Sequence, residues 1–204
     1  MREVPLQQPI DFYFDFSSPY GYLAAELIES VAAKHLRQVA WHPILLGVVF
    51  KVTGSQPLTE IPVKGDYSKH DFARSARFYG VPYRMPDRFP VATQNAARAF
   101  IWLHDQDAAA ARRFAQAVLR AYFVDNRDIT DLQILGGIAQ TLGVADGLER
   151  AVADPVLKDR LRAANAEAQS RGVFGSPFFF VDGEPFWGVD RLPQIERWLQ
   201  SGPF

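Results

Sequence analysis

Residues 10–36 read IDFYFDFSSPYGYLAAELIESVAAKHL, and two structural periods meet within this stretch. In residues 10–16 apolar and polar side chains alternate strictly, and the apolar ones are Ile10, Phe12, Phe14 and Phe16. This period of two and the aromatic content predict a β-strand. From Tyr20 onward, apolar residues recur at helical spacing. The stretch therefore predicts a strand that leads directly into a helix.

The boundary between the two periods is marked by Ser17, Ser18 and Pro19. Proline suits the first turn of a helix, and a serine before it can accept a hydrogen bond from a backbone N–H of that turn. Either serine satisfies this description. Ser18 is the preferred N-cap because it directly precedes the proline.

The pattern then returns to a strand and becomes irregular. Residues 39–45, VAWHPIL, predict a second strand, which a strand–helix–strand unit in one sheet would make parallel to the first. Residues 47–90 are rich in glycine and proline, and we predict one helix there, over residues 66–80.

Residues 93–172 are helical in pattern throughout. Two helices are predicted first, separated near Asp105. A third helix is expected to be capped by Thr130, and a fourth begins at Asp154 and ends at Gly172.

The C-terminal part is again rich in strand formers. Residues 176–188, SPFFFVDGEPFWG, predict a β-hairpin that turns at Asp182 and Gly183, and residues 190–200 predict a closing helix. The order strand–helix–strand, helices, strand–strand–helix predicts the α/β class: a thioredoxin-like fold with a large all-helical insertion domain. Residues 1–48 and 173–204 would form the thioredoxin-like domain, and residues 49–172 the connecting segment and the helical insertion domain.

The amino-acid composition excludes several classes of function. The chain has 204 residues, 48% of them hydrophobic and 22% charged, as in an ordinary folded protein, and its formal net charge is −1. This charge gives no reason to expect a nucleic acid or a membrane as partner. Because the chain has no cysteine, it supplies neither a disulfide nor a thiol nucleophile. The histidines lack metal-ligand spacing, so no metal site is predicted.

Four stretches carry a family resemblance in the same order along the chain. They are FDFSSPYGYLAAE (14–26), KGDYSKHDFARSARFYGVPY (64–83), FGSPFFFVDG (174–183) and FWGVDRL (186–192). Together they resemble the 2-hydroxychromene-2-carboxylate isomerase family, which is similar to kappa-class glutathione transferases and to DsbA-type disulfide oxidoreductases. The resemblance extends over residues 10–199.

The resemblance implies a role for Ser18. In the redox relatives a cysteine begins the first helix, where backbone N–H groups and the helix dipole stabilise a thiolate. A serine cannot exchange disulfides, but its hydroxyl can donate a hydrogen bond to a thiolate that another molecule brings. The family uses glutathione as that molecule, so glutathione is the implied cofactor and Ser18 the implied catalytic residue.

The same resemblance implies further glutathione contacts. Ser176 would offer its backbone N–H and C=O to the peptide part of glutathione, next to a cis peptide bond at Pro177. Asp190, followed by Arg191 in a G-x-D-R pattern, would pair with the γ-glutamyl ammonium.

Two positions in the connecting segment complete the implied site. Lys64 matches a family lysine that pairs with a glutathione carboxylate. Ser55 stands where kappa-class enzymes have an asparagine beside the sulfur. Candidates to line a flat aromatic pocket are Tyr20, Tyr22, Phe50 and Trp187.

Three functions remain open. The first is glutathione-dependent isomerisation of 2-hydroxychromene-2-carboxylate to trans-o-hydroxybenzylidenepyruvate, a step in aromatic catabolism with a small aromatic substrate. The second is a kappa-like transferase that conjugates glutathione permanently, and the third is a cysteine-less thioredoxin-like binding scaffold. The N-terminus lacks the apolar run of a signal peptide, so a cytoplasmic location is expected, and a homodimer is left open.

Overall fold

A single sheet organises the fold. The computed structural model describes residues 8–144 and 146–204. In these ranges the sheet has four strands: β1 (Ile10–Phe14), β2 (Val39–Pro43), β3 (Phe178–Val181) and β4 (Glu184–Trp187). Their spatial order is β2-β1-β3-β4; β1 is parallel to β2 and antiparallel to β3, and β3 is antiparallel to β4. Both the predicted parallel unit and the predicted hairpin are thus confirmed.

Helices account for most of the remaining described residues. In chain order they are α1 (Pro19–Lys34), α2 (Leu46–Thr53), α3 (Lys64–Tyr79), α4 (Gln94–Gln106), α5 (Ala108–Phe123), α6 (Leu132–Thr141), α7 (Leu148–Ala153), α8 (Pro155–Ser170) and α9 (Leu192–Ser201). Helices α4 to α8 follow one another between the two strand-rich parts of the chain. None of the described helices combines the length and the apolar character that a membrane crossing requires.

Aspartate side chains cap the starts of helices α5 and α6. Helices α4 and α5 are separated at Asp107, next to the predicted break near Asp105, and the Asp107 carboxylate accepts a 2.8 Å hydrogen bond from the N–H of Ala109. Helix α6 is capped by Asp131 in the same way and not by Thr130. Helices α2 and α7 were not predicted.

Both faces of the central strand β1 are buried. On one face Phe12 stacks on Phe179 of β3 and packs edge-on against Trp41 of β2, with ring centroids 5.3 and 4.9 Å apart. On the other face Tyr13 is covered together with Phe178 and Phe180 by helix α8 and the segment after it. Fully burying such side chains contributes about 2–3 kcal/mol each, so β1 is a fixed platform for the residues that follow it.

The helices and the sheet share one core. Phe14 at the end of β1 packs edge-on against Phe100 of helix α4, with ring centroids 5.6 Å apart. The predicted division into domains at residues 48 and 172 stays a prediction, and its residues 1–7 lie outside the described residues.

Candidate ligand site at the start of helix α1

Ser18 begins helix α1 and points its hydroxyl toward a distant loop. Its Oγ accepts a 3.0 Å hydrogen bond from the N–H of Gly21 and donates a 2.9 Å hydrogen bond to the carbonyl oxygen of Ser176. The residue is only 4% exposed. The Ser18 hydroxyl is therefore both the N-cap of α1 and the link between this helix and the loop before β3.

The loop before β3 has the predicted geometry. The Ser176–Pro177 peptide bond is cis, as predicted. The Ser176 side chain is also occupied, since its Oγ accepts a 3.0 Å hydrogen bond from the N–H of Asp15. The carbonyl of Ser176 was expected to be available to a ligand, but it already accepts the Ser18 hydroxyl. A ligand N–H must therefore share this carbonyl or displace the serine.

Gly21 makes this close approach fit. A Cβ atom added at Gly21 would lie 2.7 Å from Ser176 Oγ and 2.9 Å from Ser18 Cβ. Both distances are shorter than van der Waals contact allows. The absence of a side chain at Gly21 lets the first turn of α1 lie against the loop of Ser176.

Ser17 has a different environment from Ser18. Its Oγ accepts a 3.1 Å hydrogen bond from the N–H of Val91, in the segment before helix α4. Its own N–H donates to the carboxylate of Asp15 at 2.7 Å. Ser18 is thus the serine that meets the Ser176 loop, in agreement with the preference for the residue before proline.

Asp15 is a buried acid that the sequence did not single out. It is 3% exposed, and its carboxylate accepts hydrogen bonds from the N–H of Leu46 at 2.7 Å and from the hydroxyl of Thr93 at 3.1 Å, besides that from Ser17. Burial raises the pKa of Asp15, and these hydrogen bonds oppose the rise. Its position next to the helix start was visible in the sequence, but its three partners were not.

Asp190 and Arg191 are connected to the same loop. The N–H of Gly188 donates to the carbonyl of Pro177 at 3.1 Å, and Gly188 has a φ of 111°. A Cβ at Gly188 would lie 2.3 Å from Asp190 Oδ1, so the carboxylate folds back over the glycine. Asp190 forms a 3.1 Å ion pair with Arg191, and both side chains are open to solvent.

Ser55 and Lys64 lie on the exposed segment between β2 and α3. Ser55 follows helix α2, and Lys64 is the first residue of α3. Val63 before it has a φ of 69°, which is strained for a β-branched residue. Within the described part of the chain neither side chain forms a hydrogen bond with Ser18 or Ser176, so their ligand roles stay predictions.

The aromatic candidates separate by exposure. Tyr22 is fully buried and its hydroxyl donates to the carbonyl of Pro82 at 2.7 Å, so the expectation that it lines a ligand pocket is wrong. Trp187 is 55% exposed and packs on Phe174, just before the Ser176 loop. Phe50 is partly exposed on helix α2.

Tyr20 has a defined polar partner. Its hydroxyl donates to Asp71 of helix α3, a carboxylate that also accepts from Arg74. Burial and the neighbouring Asp71 charge both raise the pKa of Tyr20, so the phenol stays protonated at neutral pH. The pair fastens helix α3, and with it Lys64 at its first turn, to the start of α1.

Across residues 8–144 and 146–204, no group of three or more His, Asp or Glu side chains is arranged to hold a metal ion. The groups that hydrogen-bond to Ser18 are backbone N–H groups and carbonyls, which suit a peptide-like ligand.

Comparison with known proteins assigns the family. The family described as DSBA-like thioredoxin domain matches residues 9–200. The chain belongs to the DsbA-like thioredoxin family. Its sheet, its α1 start and its cis-proline loop are the parts of this family fold that form the site described above.

Individual relatives within the DsbA-like family are more specific. The chain is 33% identical to the 2-hydroxychromene-2-carboxylate isomerase of Sphingobium xenophagum, over 95% of this chain and 99% of the relative. It is 25% identical to glutathione S-transferase kappa 1 of Caenorhabditis elegans, over 97% and 93% of the two chains. A solved 2-hydroxychromene-2-carboxylate isomerase structure matches with a TM-score of 0.86, 26% identity and 95% coverage of both chains. These findings confirm the predicted resemblance and the thioredoxin-like fold.

Proposed function

We propose that the chain is a glutathione-dependent isomerase that interconverts 2-hydroxychromene-2-carboxylate and trans-o-hydroxybenzylidenepyruvate in the cytoplasm. The observation that carries the proposal is the Ser18 hydroxyl, which begins helix α1 and faces the cis-proline loop in a chain without cysteine. The name of the relative that is 33% identical supports the substrate class.

Binding of glutathione would rearrange the hydrogen bond between Ser18 and Ser176. An extended peptide ligand beside the cis-proline loop donates a backbone N–H to the carbonyl of Ser176, as an added strand would. The Ser18 hydroxyl is then released and donates to the ligand sulfur. The N–H groups of the first turn of α1 and the positive end of the helix dipole add to the stabilisation of a thiolate there.

The charged ends of glutathione would meet the ion-pairing residues around this centre. Asp190 would accept the γ-glutamyl ammonium, and its present partner Arg191 would remain beside it. Lys64 would pair with a carboxylate, with Ser55 nearby in the same exposed segment. These contacts bind ground state and transition state alike and set the affinity for glutathione.

The reaction uses the thiolate as a reversible nucleophile. The chromene ring opens first: the C2 hydroxyl loses its proton as the keto group forms, and the ring C–O bond breaks, its oxygen taking up a proton to become the phenol. The thiolate then adds to the conjugated system of this ring-opened substrate, so that a C–S bond forms and the electron pair of the C=C bond moves onto the keto acid as an enolate. The former double bond then rotates as a single bond. The enolate re-forms the C=C bond in the trans geometry and expels the thiolate, so glutathione is regenerated.

Titration calorimetry and an isomerisation assay test the proposal together. We expect glutathione to bind and the isomerisation rate to increase with the glutathione concentration. Glutathione itself should not be consumed during the reaction. S-Methylglutathione is the matched control, because it keeps the peptide contacts but cannot form a thiolate. If glutathione is consumed and a stable glutathione conjugate accumulates, the kappa-like transferase is favoured. Absence of glutathione binding at millimolar concentration would favour a binding scaffold.

A further inference from the structure

Asp15 is buried beneath the proposed sulfur site without a cation to balance it. Among the described residues no Lys, Arg or His side chain lies within ion-pair distance of its carboxylate. The three donors are the N–H of Ser17 on Oδ1, the hydroxyl of Thr93 on Oδ1 and the N–H of Leu46 on Oδ2. A buried charge without an ionic partner is costly, so these hydrogen bonds must balance it.

The three donors belong to the N-terminal ends of three helices. Ser17 precedes the N-cap of α1, Leu46 is the first residue of α2, and Thr93 is the N-cap of α4. Helix N-termini carry partial positive charge and favour an anion. The carboxylate therefore occupies the point where three such ends converge.

The geometry of the donors fits the ionised form of Asp15. A backbone N–H can only donate, so a proton on Oδ2 would face the N–H of Leu46. A proton on Oδ1 would have one acceptor, the Thr93 hydroxyl, and would weaken the bond from Ser17. Thr93 is thus the partner through which the protonation of Asp15 can be influenced.

We propose that Asp15 is a positioning residue for the sulfur site. Its carboxylate fastens the starts of α1, α2 and α4 together. Its charge also limits how far the helix start can lower the pKa of a thiol bound at Ser18. This inference rests on the proposed function. The backbone supports the link, because the Asp15 carbonyl accepts from the N–H of Ser18 at 3.0 Å and the Asp15 N–H donates to Ser176.

The charge of Asp15 has a chemical use in a reversible addition. A thiolate of very low basicity is a poor nucleophile, and an attacking thiol is most effective when its pKa lies near the ambient pH. A second anion below the helix start opposes thiolate formation and so retains basicity at the sulfur. Among the groups around Asp15, burial raises the pKa of Tyr122 to about 12; the Ser17 hydroxyl opposes this rise, and the charges of Asp128 and then Asp15 add to it.

The test on the sulfur uses Asp15→Asn with Asp11→Asn as a matched control on the same strand. Thiolate absorbance of the glutathione complex is titrated against pH for each protein. We expect Asp15→Asn to lower the midpoint by about one pH unit, because a nearby like charge is removed. Asp11→Asn should leave the midpoint unchanged. An unchanged or raised midpoint in Asp15→Asn overturns the proposed effect of the charge.

The test on the helix starts needs no ligand. Because the pKa of Asp15 is raised in the folded protein, its contribution to stability falls as pH rises from the unfolded value of 3.8 toward the folded one. Thr93→Val removes a donor to the charged form and should extend this fall to higher pH, whereas Thr93→Ser should restore the wild-type curve. Identical unfolding curves for Thr93→Val and wild type overturn the inference even if Asp15→Asn does not fold.

The outcomes separate this inference from the function on which it rests. If wild-type protein does not bind glutathione, the proposed function fails, and the claim about the sulfur fails with it. If glutathione binds and only the Asp15→Asn midpoint stays in place, the inference alone fails. If kcat also drops several-fold in Thr93→Val and recovers in Thr93→Ser, the positioning role is supported.

Discussion

The Ser18 hydroxyl donates a hydrogen bond to the carbonyl oxygen of Ser176, which is 2.9 Å away and 158 residues further along the chain. In the same position its oxygen caps helix α1 through the N–H of Gly21. The first of these bonds uses the one proton that Ser18 could offer to a sulfur. The Ser18 hydroxyl must therefore leave the Ser176 carbonyl before it can donate to a ligand sulfur.

Replacing Ser18 should be far more damaging than replacing its neighbour. A hydrogen bond to a charged group is worth about 1.5–3 kcal/mol, so Ser18→Ala should lower kcat about 10- to 150-fold. Ser17→Ala is the control, since Ser17 bonds to the N–H of Val91 and not to the Ser176 loop. Steady-state kinetics of both variants decide the matter. Equal losses would mean that the wrong serine has been assigned.

The bound thiol should titrate below the value of about 8.5 for a free thiol, because the helix start favours its charged form. Activity should then rise with pH through this midpoint and level off. Ser18→Ala should raise the midpoint, since a donor to the thiolate is lost. Ultraviolet absorbance of the complex measures both values. A midpoint equal to that of free glutathione in both proteins would reduce Ser18 to a helix cap.

A side chain at Gly21 should disturb the site. Gly21→Ala would bring a Cβ within 2.7 Å of Ser176 Oγ, and we expect lower stability and weaker glutathione binding. Gly137→Ala is the matched control, because it lies inside helix α6 with nothing within 4 Å of an added Cβ. That control should gain about 0.5–1 kcal/mol from better helix propensity. Thermal unfolding that shows a gain in both variants would contradict the close packing described here.

Asp190 should affect binding and not turnover. Asp190→Asn removes the proposed partner of the γ-glutamyl ammonium, and we expect KM for glutathione to rise about tenfold while kcat is unchanged. Glu184→Gln, on the exposed edge strand β4, is a control of equal charge change. A fall in kcat without a change in KM would argue against this ground-state contact.

Acid should weaken the fold through Asp11. Burial opposes ionisation of Asp11, but hydrogen bonds from His42 and Arg171 hold its pKa below the ordinary value. A lowered folded pKa means that the contribution is complete above 3.8 and is lost as pH falls toward the folded value. The free energy of unfolding, measured from pH 6 to pH 2, should decrease less steeply in Asp11→Asn than in wild type. Parallel curves would contradict this linkage.

Local patterns predicted the site where its partners lie next to one another in sequence. The Ser-Pro start of α1, the strand before it and the β3–β4 turn all depend on short-range chemistry. The family resemblance placed Ser18 and Ser176 at one glutathione site but did not predict the hydrogen bond between them. Helix α2 was missed because its sequence LGVVFKVT is nearly all apolar and its N-cap Leu45 makes no side-chain hydrogen bond.

Asp15 could not have been interpreted from local patterns. Two of its donors, Leu46 and Thr93, lie 31 and 78 residues further along the chain. Only the packed positions of α2 and α4 bring them to one carboxylate. The burial of Tyr22 is a similar case, because α5 and the loop of Pro82 close over it.

The packing at Gly21 also limits how this site can change over evolutionary time. Ser18 and Gly21 have the spacing of a Cys-X-X-Cys pair, the arrangement that disulfide exchange uses. A cysteine at position 18 alone would be a thiol without a resolving partner. A cysteine at position 21 would collide with Ser176 Oγ, which the N–H of Asp15 holds in place. Introducing both cysteines would therefore also require the Ser176 side chain to move or to be replaced.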